Sequence, residues 1–237
     1  MNQAAARRFY KSVRVEEAEG GFAIRLDERT LKTRQGAAFK APTRALAEAC
    51  ASEWDAQREH ILFSSMPITR LAFDAIDLTA GARADYAAFV AEYSQTDLCC
   101  HRAEAPTELV AREAAVRQPI VDWAARELGA ALTVVTGVQA APHNLEAAAS
   151  LRTRAEALDN FRLVALAQAT KLAGSVLIGM ALVEGRLDAQ QAYEAAALDE
   201  LWSLEKWGED AEARTRLDRQ RANFEAIGRF IAALEGP

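Results

Sequence analysis

Apolar and polar side chains alternate with a period of two over much of the first forty residues, which predicts short β-strands. Aromatic and β-branched residues are concentrated in segments 9–15 and 22–26, and Gly20 with Gly21 separates the two. A turn at Gly36 divides further short segments. We therefore expect a small antiparallel meander of three or four strands, which needs a helix across one face to be stable.

From Thr43 onward, apolar residues recur at the spacing of amphipathic helices. Thr43 is placed to cap the first helix, in which Leu46, Cys50 and Trp54 share one face. The pattern predicts an α+β fold. A small N-terminal antiparallel β domain with its covering helix, residues 1–62, precedes a larger all-helical domain, residues 63–237. Further helices are predicted at 68–78, from 79, at 97–101, 107–128, 144–158 and 160–185, from 188, and from 209 or 210, with an extended segment at 132–136.

Composition narrows the classes of protein that this chain can represent. A net charge of -6 and a pI near 5.3 argue against a nucleic-acid-binding protein, because such affinity depends on neutralising phosphates. An odd number of cysteines, two of them adjacent, indicates a reducing compartment. The longest apolar run, 172–183, is shorter than the roughly 20 residues of a membrane helix, and the N-terminus has no signal-peptide core. We expect a soluble, intracellular protein.

Two motifs superficially suggest bound groups. Cys99, Cys100 and His101 are consecutive, so on a helix they point about 100° apart and do not converge on one ion. The glycine spacing at 174–179 matches a phosphate-binding loop but lacks its lysine and lies inside a predicted helix. We therefore expect neither a metal nor a cofactor.

The segment 198–214 combines tryptophan with a run of carboxylates, a composition that indicates a boundary or a binding surface. On a helical wheel Glu194 and Glu205 fall inside its apolar arc, whereas Asp199 points nearly opposite and Glu200 lies at the edge. Glu194 and Glu205 have two interpretations: ion pairing with arginines, or general acid–base catalysis, which requires a raised pKa and a pocket. Asp199 and Glu200 are expected to face solvent or a partner.

Six motifs occur in order along the chain: RFYKSV (8–13), LDERTLKT (26–33), EWDAQ (53–57), SMPITRLAFDAID (65–77), TDLCCHRA (96–103) and LDELWSLEKWGED (198–210). Together they resemble the assembly chaperone of the F-type ATP synthase catalytic head, the factor that binds the alpha subunit. The resemblance covers nearly the whole chain, although Arg34 and Ser203 stand where the family often has proline and glutamine.

This resemblance implies a two-domain chaperone without enzymatic activity or cofactor. Its implied partner is the unassembled alpha subunit, held by the surface that later meets the beta subunit. Asp199 matches an acidic position that is functionally important in the family. The residues expected to bind the client are Asp199, Glu200, Trp202, Glu205 and Trp207, with Trp54 and Glu194 at the domain seam.

We expect lysine at Asp199 or Glu200 to weaken client rescue while thermal stability stays nearly unchanged. A monomer in the bacterial cytoplasm, or in the mitochondrial matrix of a eukaryote, is the favoured state. The alternatives are a carboxylate-dependent enzyme using Glu194 and Glu205, and a stable structural subunit with a large apolar face.

Overall fold

An antiparallel meander opens the chain in the computed structural model, which describes residues 6–208 and 210–236. Strands β1 (Val13–Ala18), β2 (Gly21–Leu26) and β3 (Arg29–Thr30) pair in sequence order. At Gly21 a Cβ atom would collide with the carbonyl of Ala41, because Phe22 and Ala41 exchange two backbone hydrogen bonds of 2.9 Å. The small β meander expected from the sequence is confirmed.

Helix α1 (Arg44–Asp55) contacts β1 and β2, and its apolar face is buried. Thr43 caps this helix by accepting a hydrogen bond of 3.2 Å from the Leu46 amide. A 3-10 turn (Phe63–Ser65) leads to α2 (Pro67–Ile76), whose first amides donate to the Glu53 carboxylate. These contacts join the sheet, α1 and α2 in one hydrophobic core.

Contacts divide the chain into two units. The first unit contains the described residues up to Thr79 together with residues 229–236, and the second contains residues 80–228 except Glu209. The division differs from the boundary expected after residue 62, because Phe63 and Phe73 pack around Trp54 of α1. The end of the last helix also contributes buried side chains, Phe230 and Ile231, to the first unit.

The second unit is mostly helical. A 3-10 turn (Leu98–Cys100) replaces the short helix expected at 97–101. The extended segment expected at 132–136 contains a short strand, which pairs in parallel with the strand that follows this turn, His101–Arg102. The last helix begins at Ala211; of its two expected starting residues, Glu209 lies outside the described residues. The elements are α3 (Ala80–Glu92), β4 (His101–Arg102), α4 (Thr107–Glu127), β5 (Val135–Thr136), α5 (Leu145–Ala157), α6 (Asn160–Ala173), α7 (Val176–Val183), α8 (Ala189–Trp207) and α9 (Ala211–Glu235).

The prediction of one continuous helix over 160–185 is wrong. Gly174 adopts a left-handed conformation, with φ 66°, and ends α6. Ser175 then starts α7 by accepting a hydrogen bond of 3.0 Å from Ile178, and it donates one of 2.7 Å to the buried Asp97. Every residue of α7 is buried, so uniform hydrophobicity concealed the break. Within residues 6–208 and 210–236, none of the helices has the length and apolar character needed to cross a bilayer.

Candidate functional site

Helix α8 positions the residues that the sequence singles out. Asp188 and Gln191 form a capping box at its start, which fixes where the helix begins. Toward its C-terminal end, Leu198 and Trp202 turn inward and pack with Leu109 of α4. The same stretch of α8 therefore has an apolar face in the core and an acidic face outside.

The two tryptophans of α8 have different environments. Trp202 is only 5% exposed, whereas Trp207 is 76% exposed, and the rings meet edge to face with centroids 5.3 Å apart. Trp202 was expected among the client-binding residues, but its burial makes it the support on which Trp207 rests. A tryptophan side chain this exposed is unusual, because moving its large ring out of water is strongly favourable. Trp207 is consequently the strongest candidate for an aromatic anchor on this surface.

Arg117 of α4 is fully buried and lies next to α8. Its guanidinium donates to the Ala195 carbonyl at 3.1 Å, and its Nη atoms lie 3.1 Å from Glu113 Oε1 and 2.6 Å from Asp199 Oδ2. The other Glu113 oxygen accepts a 2.8 Å hydrogen bond from the Ala103 amide. One cation thus serves two carboxylates, and sequence reasoning missed both Glu113 and Arg117.

Asp199 is expected to face solvent or a partner, and in the structure it reaches both the surface and the buried Arg117. Its side chain is 41% exposed, but Oδ2 is bound to Arg117. Burial raises the pKa of Glu113, as do a hydrogen bond and Coulomb repulsion from Asp199, while the Ala103 amide and Arg117 act in the opposite direction. Asp199 therefore links the surface to a buried charge network.

The remaining carboxylates of this face form exposed ion pairs. Glu200 Oε2 accepts from Arg216 of α9 at 2.8 Å, and Glu205 Oε2 lies 2.8 Å from Arg112 of α4. Such exposed pairs add little to stability, because solvent screens the two charges. They therefore exchange readily for other charged partners.

Glu194 does not lie in the apolar arc where the wheel placed it. It is exposed, and it accepts a 2.7 Å hydrogen bond from Gln190, one turn away on the same helix. Glu205 lies three turns further along α8 and is bound to Arg112. The structure therefore does not bring Glu194 and Glu205 together as an acid–base pair.

Two other predicted positions lie in hydrophobic cores. Trp54 belongs to the first unit, where its ring contacts Tyr10, Phe63 and Phe73 and its carbonyl accepts a 2.7 Å hydrogen bond from the Tyr10 hydroxyl. Cys100 is buried in the second unit, and desolvation raises the pKa of its thiol to about 12. In the part of the chain that the structure describes, no three His, Cys, Asp or Glu side chains are grouped as a metal site requires.

A groove of about 520 Å³ lies between the C-terminal half of α8 and the first turns of α9. The exposed Trp207 ring forms part of its wall, together with carboxylates and one guanidinium. The lining residues are Asp199, Glu200, Ser203, Leu204, Trp207, Gly208, Asp210, Ala213 and Arg216. We refer to this feature as the α8–α9 groove.

An exposed aromatic anchor beside exchangeable ion pairs is typical of a surface that binds another protein. The model of the ATP12 chaperone protein family matches residues 7–125, half of the chain. The chain is also 39% identical to Atp12 from Paracoccus denitrificans, with a TM-score of 0.88 and coverage of 97% of this chain and 98% of that one. The chain belongs to the ATP12 chaperone family, and it is an ATP synthase assembly chaperone, not an enzyme.

Other relatives agree with this assignment. A mutant of the Paracoccus protein with lysine in place of an aspartate gives the same TM-score of 0.88. A solved protein of Agrobacterium tumefaciens is 37% identical, with a TM-score of 0.86 and coverage of 96% of this chain and 86% of that one. "Protein atp12, mitochondrial" of Schizosaccharomyces pombe is 24% identical over an alignment of 227 residues, and the match covers 88% of this chain and 77% of that protein. The solved relatives span α8, which the family match does not reach.

Proposed function

We propose that this chaperone binds the unassembled alpha subunit of the F-type ATP synthase catalytic head through the outer face of α8. It shields the apolar surface that later meets the beta subunit, and it releases the alpha subunit when beta arrives. This takes place where the catalytic head is assembled, in the bacterial cytoplasm or the mitochondrial matrix. Free subunits with exposed interfaces aggregate, so a covering protein has a clear physical role.

The exposed Trp207 ring is the observation that carries this proposal. Tryptophan is among the residues that contribute most to protein–protein binding when a partner covers it. The nearby carboxylates Asp199, Glu200 and Glu205, each paired with an arginine of this chain, are acceptors that suit basic side chains of a client. Because the Glu200 and Glu205 ion pairs are exposed and weak, these carboxylates exchange easily between their own arginines and basic side chains of a client.

Co-expression with the alpha subunit tests the proposal through Trp207→Ala. We expect the variant to lower the soluble fraction of alpha severalfold, because the aromatic anchor is lost while the helix remains. Leu145→Ala is the matched control, since Leu145 is also a large apolar side chain, 71% exposed, but lies on α5 outside the α8–α9 groove. Equal alpha solubility with Trp207→Ala, Leu145→Ala and the parent would contradict a role for this surface.

A charge reversal provides a second test. Glu200→Lys is expected to reduce alpha rescue, whereas Glu156→Lys leaves it unchanged. The two glutamates are well matched, because both are exposed and each is paired with one arginine at 2.8 Å. If the parent remains bound to alpha in the finished enzyme, the alternative of a stable structural subunit replaces that of a chaperone that leaves.

A further inference from the structure

The α8–α9 groove carries more negative than positive charge. Its lining includes three carboxylates, from Asp199, Glu200 and Asp210, and one guanidinium, from Arg216. Three negative charges and one positive charge leave a net charge of -2. Clefts lined by one sign of charge concentrate groups of the opposite sign, so the groove favours a cation.

The buried charges beneath the groove do not cancel this excess. Arg117 is the cation closest to Asp199, with 2.6 Å between Nη2 and Oδ2, but it also pairs with Glu113. Because Arg117 is shared with Glu113, it offsets the charge of Asp199 only in part. Because Asp199 is the partly exposed member of the three, the groove is where a further cation reaches that charge.

The Trp207 ring provides the second element of a cation site. Arginine guanidinium groups stack on tryptophan faces, and arginine also pairs with carboxylates through its planar fork of donors. The cavity of about 520 Å³ falls within the roughly 300–1,000 Å³ of typical ligand pockets. The groove therefore has room for a long side chain together with the main chain that bears it.

Arg216 already makes in the free protein the contact that such a side chain would make. Its Nη2 and Nε atoms lie 2.8 Å and 3.3 Å from the same oxygen of Glu200, and its own side chain is exposed. Glu200 holds the pKa of Arg216 above its ordinary value, and Glu212 and Asp210 add to this effect. An exposed pair of this kind adds little stability, so it exchanges easily.

We propose that an arginine or lysine of the client enters the α8–α9 groove against Trp207 and replaces Arg216 as the partner of Glu200. Arg216 is thus an internal placeholder that competes with the client. This inference rests on the proposed function, since it names the chemistry that the same surface recognises in the alpha subunit. It also makes a distinctive prediction: removing the charge of Arg216 should raise the affinity for the client, whereas removing the charge of Glu200 should lower it.

The test measures the affinity of each variant for immobilised alpha subunit, kept soluble by a fusion partner, using biolayer interferometry. Arg216→Gln removes the competitor, so we expect affinity to rise about two- to fivefold, the range that corresponds to an exposed pair. Glu200→Gln removes the acceptor, so affinity falls by a similar factor. Arg221→Gln is the control, because Arg221 lies on the same helix and forms an exposed pair with Asp218 at 3.1 Å.

The possible outcomes distinguish a failure of this inference from a failure of the proposed function on which it rests. If the parent does not bind alpha, the proposed function itself fails. If the parent binds but Arg216→Gln weakens binding or leaves it unchanged, Arg216 is not a placeholder and the inference is overturned. Opposite effects of Arg216→Gln and Glu200→Gln, with Arg221→Gln unchanged and thermal unfolding of all three near the parent, support it.

Discussion

Replacing Arg117 by methionine is expected to destabilise the second unit strongly. Methionine is long, flexible and a good helix former, so the change preserves the helix and much of the packing. It removes the guanidinium that contacts the Ala195 carbonyl, Glu113 and Asp199. The Glu113 carboxylate, which is buried, loses its ion-pair partner while it remains shielded from water.

The size of the effect follows from this burial. Removing one partner of a buried ion pair costs about 3–5 kcal/mol, because the other charge stays desolvated. For a protein of this size, each kcal/mol lowers the midpoint temperature by about 2–4 °C, so we expect a decrease of roughly 6–20 °C. Arg152→Met is the control: the Arg152–Glu156 pair has the same four-residue spacing, at 2.8 Å, but is exposed and contributes about 0–1 kcal/mol.

Urea unfolding followed by circular dichroism and tryptophan fluorescence measures both variants. If Arg117→Met and Arg152→Met lower the free energy of unfolding by amounts that agree within 1 kcal/mol, the buried network does not contribute more than an exposed ion pair and the reasoning is refuted. The double variant Glu113→Gln with Arg117→Met provides a further check. It should regain part of the stability, because the unpaired carboxylate is replaced by a neutral amide.

Three further predictions concern the same unit. Asp199→Lys places a second cation beside Arg117, so it should lower the free energy of unfolding by about 1–3 kcal/mol after solvent screening. Glu200→Lys should change the free energy of unfolding little, and equal urea midpoints for the two variants would contradict this prediction. Burial raises the pKa of Glu113 in the folded state above its value in the unfolded chain. As the pH falls, the Glu113 carboxyl is therefore protonated at a higher pH in the folded state than in the unfolded one, and the free-energy cost of burying its charge disappears. The stability lost in Arg117→Met relative to the parent should therefore shrink as the pH is lowered from neutral towards the ordinary pKa of glutamate, and a loss that does not change with pH would exclude this origin. Gly174→Ala meets no atom within 4 Å, so only backbone strain of about 1 kcal/mol is expected at φ 66°, and a loss above about 2 kcal/mol would indicate a packing role.

Local sequence signals were sufficient for most elements. Thr43, Asn144 and Asp188 cap helices as expected, since the hydrogen bond between a capping side chain and a nearby amide is a local interaction. The break between α6 and α7 could not be predicted from the hydrophobic pattern, because α7 is buried on all sides and its residues are uniformly apolar, without a helical period. In that situation Gly174 followed by Ser175 was the available signal.

The acidic surface was harder to predict, because a helical wheel uses only one helix's own sequence. Which face of α8 is buried depends on its neighbours, and contacts with α4 placed Asp199 beside Arg117 while Glu194 remained exposed. A signal for Arg117 did exist. Glu113 and Arg117 lie four residues apart on the same face of α4 as Leu109, so a charged pair occupies positions that the helix buries.

The last turns of α9 have a consequence for the synthesis of the chain. Phe230 and Ile231 belong to the core of the first unit, and the Thr43 hydroxyl donates a 2.5 Å hydrogen bond to the Ala233 carbonyl. From Thr79 to Arg229 the ribosome must add 229 − 79 = 150 residues, which takes roughly 8–30 s at about 5–20 residues per second. The strands of the first unit are therefore translated well before Phe230 and Ile231, and a nascent chain leaves this core incomplete until those two residues have been added.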